Sequence, residues 1–259
     1  MIYVNNKVIE QNHFSAGELK INLYPYQGPV DVRWIYENDA ELFTIACIRD
    51  FYRKTNNQIT LTVPYFGHAR MDRTKSETDV FTLKTFCNMI NAMEFDQVFA
   101  WDVHSNVTPA LLDRFVDVNP FHWIMDTIDT IGRDDLVLFF PDEGAQKRYG
   151  GSFSYNQAFG IKKRNWETQK IEDYMIVGEE NIKGKDVLII DDICSYGNTF
   201  VKAAEALHKA GAKRIYLYVT HCEDAISKGN VFKCGLIDKV FTTNSLVRSK
   251  ETEELLFHV

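Results

Sequence analysis

The chain has 259 residues, of which 45% are hydrophobic, 13% aromatic and 25% charged; this is globular composition, with room for one large domain or two of ordinary size, and it excludes disorder and coiled coil. Against 36 Asp and Glu stand 29 Lys and Arg, a net charge of −7, so there is no global basic surface for nucleic acid and any anionic ligand must be bound locally. Residues 1–12 lack the apolar core of a signal peptide, no apolar run approaches the ~20 residues that span a bilayer, and five scattered cysteines without a Cys-x-x-Cys pair read as reduced thiols; the expectation is a soluble, cytoplasmic protein with no membrane partner.

In chain order, the pattern predicts a strand at 32–36, a helix at 40–52, a strand at 59–63, a helix at 82–93 and a strand at 97–101. After Asn119-Pro120 it restarts with a helix at 121–131, then strands at 136–140 and 187–190, a helix at 199–210 closed by Gly211, and a strand at 215–219. Short β-rich runs alternating with helices make an α/β fold, with the boundary giving domains 1–120 and 121–259. Several strands are continuously apolar, as buried parallel strands are. Ligands of such sheets sit beyond the carboxyl ends of the strands, which directs attention to the residues that follow each one.

Four strand ends carry unusual residues: Phe66-Gly67-His68-Ala69-Arg70-Met71-Asp72-Arg73, Asp102-Val103-His104-Ser105, Pro141-Asp142-Glu143-Gly144, and Asp191-Asp192-Ile193-Cys194-Ser195-Tyr196-Gly197-Asn198-Thr199. The last is the most informative. Two adjacent carboxylates can accept hydrogen bonds from vicinal hydroxyls, while loop N–H groups, the hydroxyls of Ser195 and Thr199 and the positive end of the following helix can surround a phosphate. That describes a ribose-phosphate site; the plainer reading is a strand-to-helix turn with Thr199 as N-cap. No Gly-x-x-x-x-Gly-Lys-Ser/Thr is present, so a P-loop is excluded.

The 191–199 segment resembles the phosphoribosyl-pyrophosphate signature Asp-Asp-x-x-Asp-Thr-Gly-Gly-Thr of type I phosphoribosyltransferases and ribose-phosphate pyrophosphokinases. Asp191, Asp192, Gly197 and Thr199 are kept, whereas Ser195, Tyr196 and Asn198 replace Asp, Thr and Gly. The other segments favour the pyrophosphokinases. Residues 66–73 are similar to their Phe-Gly-Tyr-Ala-Arg-Gln-Asp-Arg, 102–104 to Asp-Leu-His, 141–144 to Ser-Pro-Asp-x-Gly and Phe14-Ser15-Ala16-Gly17-Glu18 to Phe-Ser-Asp-Gly-Glu; residues 158–164 resemble the start of their mobile catalytic loop with its Lys-x-Arg.

The resemblance implies two similar domains of type I phosphoribosyltransferase-like fold, the N-terminal one on the ATP side and the C-terminal one binding ribose phosphate. It implies an enzyme that moves the β,γ-diphosphoryl group of ATP to the anomeric hydroxyl of ribose 5-phosphate with Mg²⁺. Lys162 and Arg164 would be catalytic; Phe14, Glu18, Arg70, Asp72, Arg73 and His104 would bind ATP; Asp191, Asp192, Ser195, Tyr196, Gly197, Asn198 and Thr199 would bind the ribose phosphate; His104 and Asp142 would face the metal, the imidazole weakly or through water. On pattern alone, Lys162-Lys163-Arg164 is a solvated basic turn, and Arg70 and Arg73 are surface ion pairs.

Departures also carry expectations. Ala16 and Met71 replace residues that contact the nucleotide in the family, so adenine is read differently here. Tyr196 adds a ring at the 5-phosphate pocket, which suits a larger acceptor such as ADP-ribose, with the product feeding NAD synthesis. A non-catalytic regulatory partner and an ordinary phosphoribosyltransferase are the remaining alternatives. The family continues past residues 239–242 further than this sequence does, and the expectation is a terminal strand without the final helix. The 14–18 loop, which in the family reaches a neighbouring subunit, implies a homo-oligomer, at least a dimer and up to a hexamer.

Overall fold

In the computed structural model, which describes residues 1–54, 58–132, 134–164 and 171–259 with the backbone alone at 162–164 and 171–173, the alternating pattern folds into two units, Met1–Asn119 and Pro120–Val259. The first contains β1 (Ile2–Val4), β2 (Lys7–Val8), β3 (Asn12–His13), β4 (Leu19–Lys20), β5 (Val30–Trp34), α1 (Glu41–Arg53), β6 (Ile59–Val63), α2 (Thr82–Ala92), β7 (Gln97–Trp101), α3 (Thr108–Leu111) and β8 (Phe115–Val118). Strands β5 to β8 are parallel neighbours in chain order, with β1 antiparallel on β5 and β2 on β1.

Period decides which residues are inside. In β5 and β6 every second residue is buried, and in α1 the buried Leu42, Ile45, Ile48 and Tyr52 recur at the three- and four-residue spacing of one helix face. Phe86 meets Trp34 and Phe66 in the core, with ring centroids 5.9 and 5.2 Å away.

The second unit contains α4 (Phe121–Ile131), β9 (Leu136–Phe140), α5 (Glu143–Tyr149), β10 (Asn156–Arg164), β11 (Ile171–Val177), β12 (Asp186–Cys194), α6 (Asn198–Lys209), β13 (Arg214–Cys222), β14 (Lys239–Thr242), α7 (Lys250–Glu253) and β15 (Phe257–His258). Its sheet runs β11-β10-β9-β12-β13-β14-β15, all parallel except β11. Both faces are covered: Val137, Phe139 and Ile189 pack with Phe200 and Leu207 of α6, while Leu138, Phe140 and Ile190 pack with Ile124 and Ile128 of α4. That is why β9 reads as an unbroken apolar run.

The two sheets differ in one respect that bears on function. From β5 to β8 every step goes the same way across the sheet. From β9 the chain steps to β10 on one side, whereas from β12 it steps to β13 on the other, so the strand order reverses between β9 and β12, a switch point of the kind at whose carboxyl ends open α/β sheets form their ligand crevice.

Three sequence expectations need correction. The strand predicted at 187–190 runs on to Cys194, so Asp191 and Asp192 lie in β12, not in a loop after it; the charged residues are tolerated because Asp192 finds Arg148 of α5. Residues 158–164, expected as the start of a mobile loop, form most of β10, parallel to β9 up to Phe159 and then antiparallel to β11. Thr199, the N-cap in the plainer reading of this turn, sits in the first turn of α6, and the cap is Gly197, left-handed at φ 77°. Beyond β14 a four-residue helix, α7, precedes the terminal strand β15.

Candidate active site

The crevice between β9 and β12 collects carboxylates. Asp192 is 4% exposed, with its Oδ2 3.7 Å from Arg148 Nη1. Its backbone N–H donates to Asp191 Oδ1 at 3.0 Å. Burial pushes the Asp191 carboxyl well above the usual range, and the charges of Asp192 and Asp142 push it further. Asp142 caps α5, its Oδ1 accepting from the Ala145 N–H at 3.0 Å. The Tyr174 hydroxyl donates to the Pro141 carbonyl at 2.9 Å. Burial, with Asp142 and Asp191 nearby, raises that phenol as well.

Gly160 makes this arrangement possible. A Cβ there would lie 2.1 Å from the Tyr174 hydroxyl oxygen, so only glycine lets the ring cross β10 to reach Pro141. Lys162 and Arg164 follow on the same strand, past the end of β9, with a register shift between Lys163 and Arg164. Their side chains lie outside the described residues.

After β12 comes a three-residue turn, Ser195-Tyr196-Gly197, into α6. No side chain caps the helix, so its first-turn N–H groups and positive dipole end face the turn. Tyr196 is 54% exposed at the tip. Ser195 Oγ donates to Glu223 Oε2 at 2.7 Å, and Asn198 and Thr199 open the helix. These elements bring Asp191, Asp192, Ser195, Tyr196, Gly197, Asn198, Thr199 and Asp142 to one edge of unit 2.

Unit 1 has its own strand-end cluster. Beyond β6, Tyr65, Phe66 and Ala69 are buried while Arg70 and Arg73 are exposed. Arg73 Nε donates to Asp72 Oδ1 at 2.9 Å and Ser105 Oγ to Asp72 Oδ2 at 2.8 Å. Burial alone would raise the Asp72 carboxyl, but these bonds outweigh it and hold it low. Asp72 thus ties the loop after β6 to the loop after β7. There, Asp102 and Ser105 are buried and flank the exposed His104. His68 Nε2 and the Tyr36 hydroxyl both lie on Asp39 Oδ1, at 2.7 and 2.6 Å. Phe14 and Glu18 sit on the turn between β3 and β4, beside a cleft of about 590 Å³ that Gly17, Glu18 and Leu19 share with the start of α1.

Arg148, Tyr174, Gly160, Ser105 and Glu223 are functional candidates that sequence reasoning did not select. Glu223 had a signal, because it follows the β13 strand end; Arg148 and Tyr174 had none, since α5 and the β10–β11 pairing were not predicted. Among the described residues, no group of three or more His, Cys, Asp or Glu is arranged to hold a metal unaided, and no helix is long and apolar enough to cross a membrane. Asp142, beside the acidic pair, nonetheless suits Mg²⁺, a hard cation that takes one or two carboxylates and completes its shell with water and substrate phosphates; Asp191 is raised first by burial and then by the charges of Asp192 and Asp142, and a divalent cation would offset the second of these.

A phosphoribosyl transferase domain model matches residues 158–241, the span from β10 to β14 that holds the acidic pair and the turn. The ribose-phosphate pyrophosphokinase of Mycoplasma genitalium is 30% identical over 253 residues, covering 92% of this chain and 75% of that protein. That of Vibrio parahaemolyticus is 28% identical over 264 residues, covering 96% and 82%. The phosphoribosylpyrophosphate synthetase structure from Mycobacterium smegmatis has the same fold, with a TM-score of 0.77 at 21% identity, over 97% of this chain and 85% of that one. With the acidic pair, the glycine-capped turn and the order of the strand-end motifs, this likeness along nearly the whole chain makes it a member of the ribose-phosphate pyrophosphokinase family.

Proposed function

We propose that the chain transfers the β,γ-diphosphoryl group of ATP to the anomeric hydroxyl of ribose 5-phosphate, releasing AMP and giving phosphoribosyl pyrophosphate. The observation that carries this is the acidic pair of β12 at the switch-point crevice, leading directly into the uncapped start of α6. The carboxylates of Asp191 and Asp192 accept the two ribose hydroxyls, and the turn 195–199 with the helix N-terminus takes the 5-phosphate. Arg148 holds Asp192 in place from behind.

Two polyphosphorylated reactants meeting in one place concentrate negative charge, so stabilising the charge that develops on the transferred group is the main catalytic demand. Lys162 and Arg164 are assigned that task. On unit 2, Asp142 would hold Mg²⁺, which supplies electrostatic stabilisation of the phosphates when bound; on unit 1, His104 is assigned to the ATP side, with any metal contact made through water. Unit 1 is the ATP side: Arg70 and Arg73 for the triphosphate, Asp72 to hold Arg73 and Ser105, and Phe14 and Glu18 for adenine of a neighbouring copy in a homo-oligomer. A cytoplasmic setting follows from this nucleotide chemistry.

A second acceptor, ADP-ribose, is favoured by the exposed ring of Tyr196 at the tip of the phosphate turn, where a nucleotide extending from the 5-phosphate would stack. Incubation of the purified protein with Mg-ATP and either acceptor, with AMP as the readout, separates the readings. AMP with ribose 5-phosphate is expected; AMP only with ADP-ribose transfers the assignment to the second acceptor. AMP with neither, across a range of phosphate and Mg²⁺ concentrations, leaves a regulatory partner.

A further inference from the structure

The turn that reads the phosphate is held from below by the segment that follows β13. The Glu223 N–H donates to the Cys194 carbonyl at 2.8 Å, prolonging the β12–β13 ladder by one bond. Its carboxylate then takes the Ser195 hydroxyl at 2.7 Å. Two glycines make the rest of the contact close: a Cβ at Gly229 would lie 2.0 Å from the Tyr196 carbonyl oxygen, and one at Gly197 would lie 2.1 Å from Val231 Cγ2. The turn is therefore moulded against residues 223–231 at every position, and Glu223 supplies the charged contact.

A hydroxyl has one proton, and Ser195 donates it to Glu223, so it is not the donor for a phosphate oxygen. Its role in the turn is to anchor. An Asp at position 195, as in the signature that the segment resembles, could hold the turn locally by accepting the N–H two residues on, in an Asx-turn. Ser195 is shorter, and the carboxylate comes instead from the neighbouring strand end. We infer that Glu223 is a positioning residue for the ribose-phosphate turn, a carboxylate relocated from position 195 to the end of β13 that acts through Ser195. This rests on the reading of 195–199 as the phosphate cradle.

The test is a variant series with kcat, the KM of each substrate from AMP release, and the Kd of ribose 5-phosphate by calorimetry. Glu223→Ala and Ser195→Ala should each raise KM and Kd for the acceptor about tenfold, the loss of one hydrogen bond to a charged group, with kcat and the KM for ATP within about twofold. The double Ala variant should be no worse than either single one, because both remove the same bond. Glu223→Gln, which still accepts from Ser195, should stay within about threefold of the parent, and Ser195→Asp placed in Glu223→Ala should recover most of the loss. Acceptor binding unmoved in Glu223→Ala, additive single effects, or an equal rise in the KM for ATP would overturn the inference. If the parent makes no AMP from any acceptor, the proposed reaction fails, and the calorimetric series alone decides the role of Glu223.

Discussion

Replacing Gly160 by alanine tests the link between β10 and the crevice. The new Cβ would stand 2.1 Å from the Tyr174 oxygen, 2.4 Å from Cζ and 2.8 Å from Cε1, so the ring must retreat by about 1.5 Å to reach ordinary contact. The ring is not free to do so, because its hydroxyl is held by the Pro141 carbonyl at 2.9 Å. Breaking that bond leaves a buried donor and acceptor unsatisfied, about 1–3 kcal/mol, and overpacking a well-filled region adds about 1–3 kcal/mol. A loss of roughly 2–6 kcal/mol is expected. A two-unit chain need not unfold in one step, so hydrogen exchange of peptides from β9 and β10 in increasing urea is the appropriate assay. Since Pro141 precedes Asp142, AMP formation should fall with it. In Gly160→Ala/Tyr174→Phe the two losses should be less than additive, because both break the same hydrogen bond. If Gly160→Ala is within about 0.5 kcal/mol of the parent, the ring does not depend on that glycine and the account of the crevice wall is wrong.

Lys162→Ala and Arg164→Ala should each lower turnover by about 100-fold or more with acceptor and ATP affinity largely retained, since their contacts form in the transition state; near-normal turnover in either, read by AMP release, refutes the assignment. Arg148→Ala removes the cation beside buried Asp192 and should weaken acceptor binding about tenfold, measured by calorimetry. Glu41, 3% exposed, accepts from the Met1 ammonium, the Trp34 indole and the Glu37 N–H at 2.7–2.8 Å. Burial would raise its carboxyl, but those bonds prevail and hold it below the ordinary value of 4.5. Its contribution is therefore complete above that value and is lost as pH falls through the lower folded one. Glu41→Gln should cost about 2–4 kcal/mol at neutral pH and flatten the acid limb of a stability profile followed by circular dichroism; an unchanged limb contradicts the sign.

What the sequence made legible was governed by local rules. The strands at 59–63, 97–101 and 136–140 and the helix at 121–131 lie where periodicity puts them, because burial pattern and element type coincide there. At Asp191 and Asp192 the rule misled: charge reads as a strand end, but a carboxylate with a partner can continue a strand, and Arg148, the partner of Asp192, stands on a helix 44 positions upstream of it. The β10–β11 pairing escaped because a strand is recognised by what it buries, and the arm past Phe159 is paired on one side only. The acidic pair and turn were visible as residue types in order. Their supports, Tyr174 through Gly160 and Glu223 through Ser195, depend on long-range approach that no local window contains.

That β12 carries its acidic pair within a strand still paired on β13, past the last residue that it pairs with β9, has a thermodynamic consequence. The entropy of fixing those two carboxylates is lost once, when the chain folds, and would not be charged again when the proposed acceptor binds. Affinity at this edge is then coupled to the cohesion of the sheet itself: a substitution that loosens the β12–β13 ladder at its far end, such as one breaking the Arg214 to Asp186 pair, would be felt as weaker binding by residues it never touches.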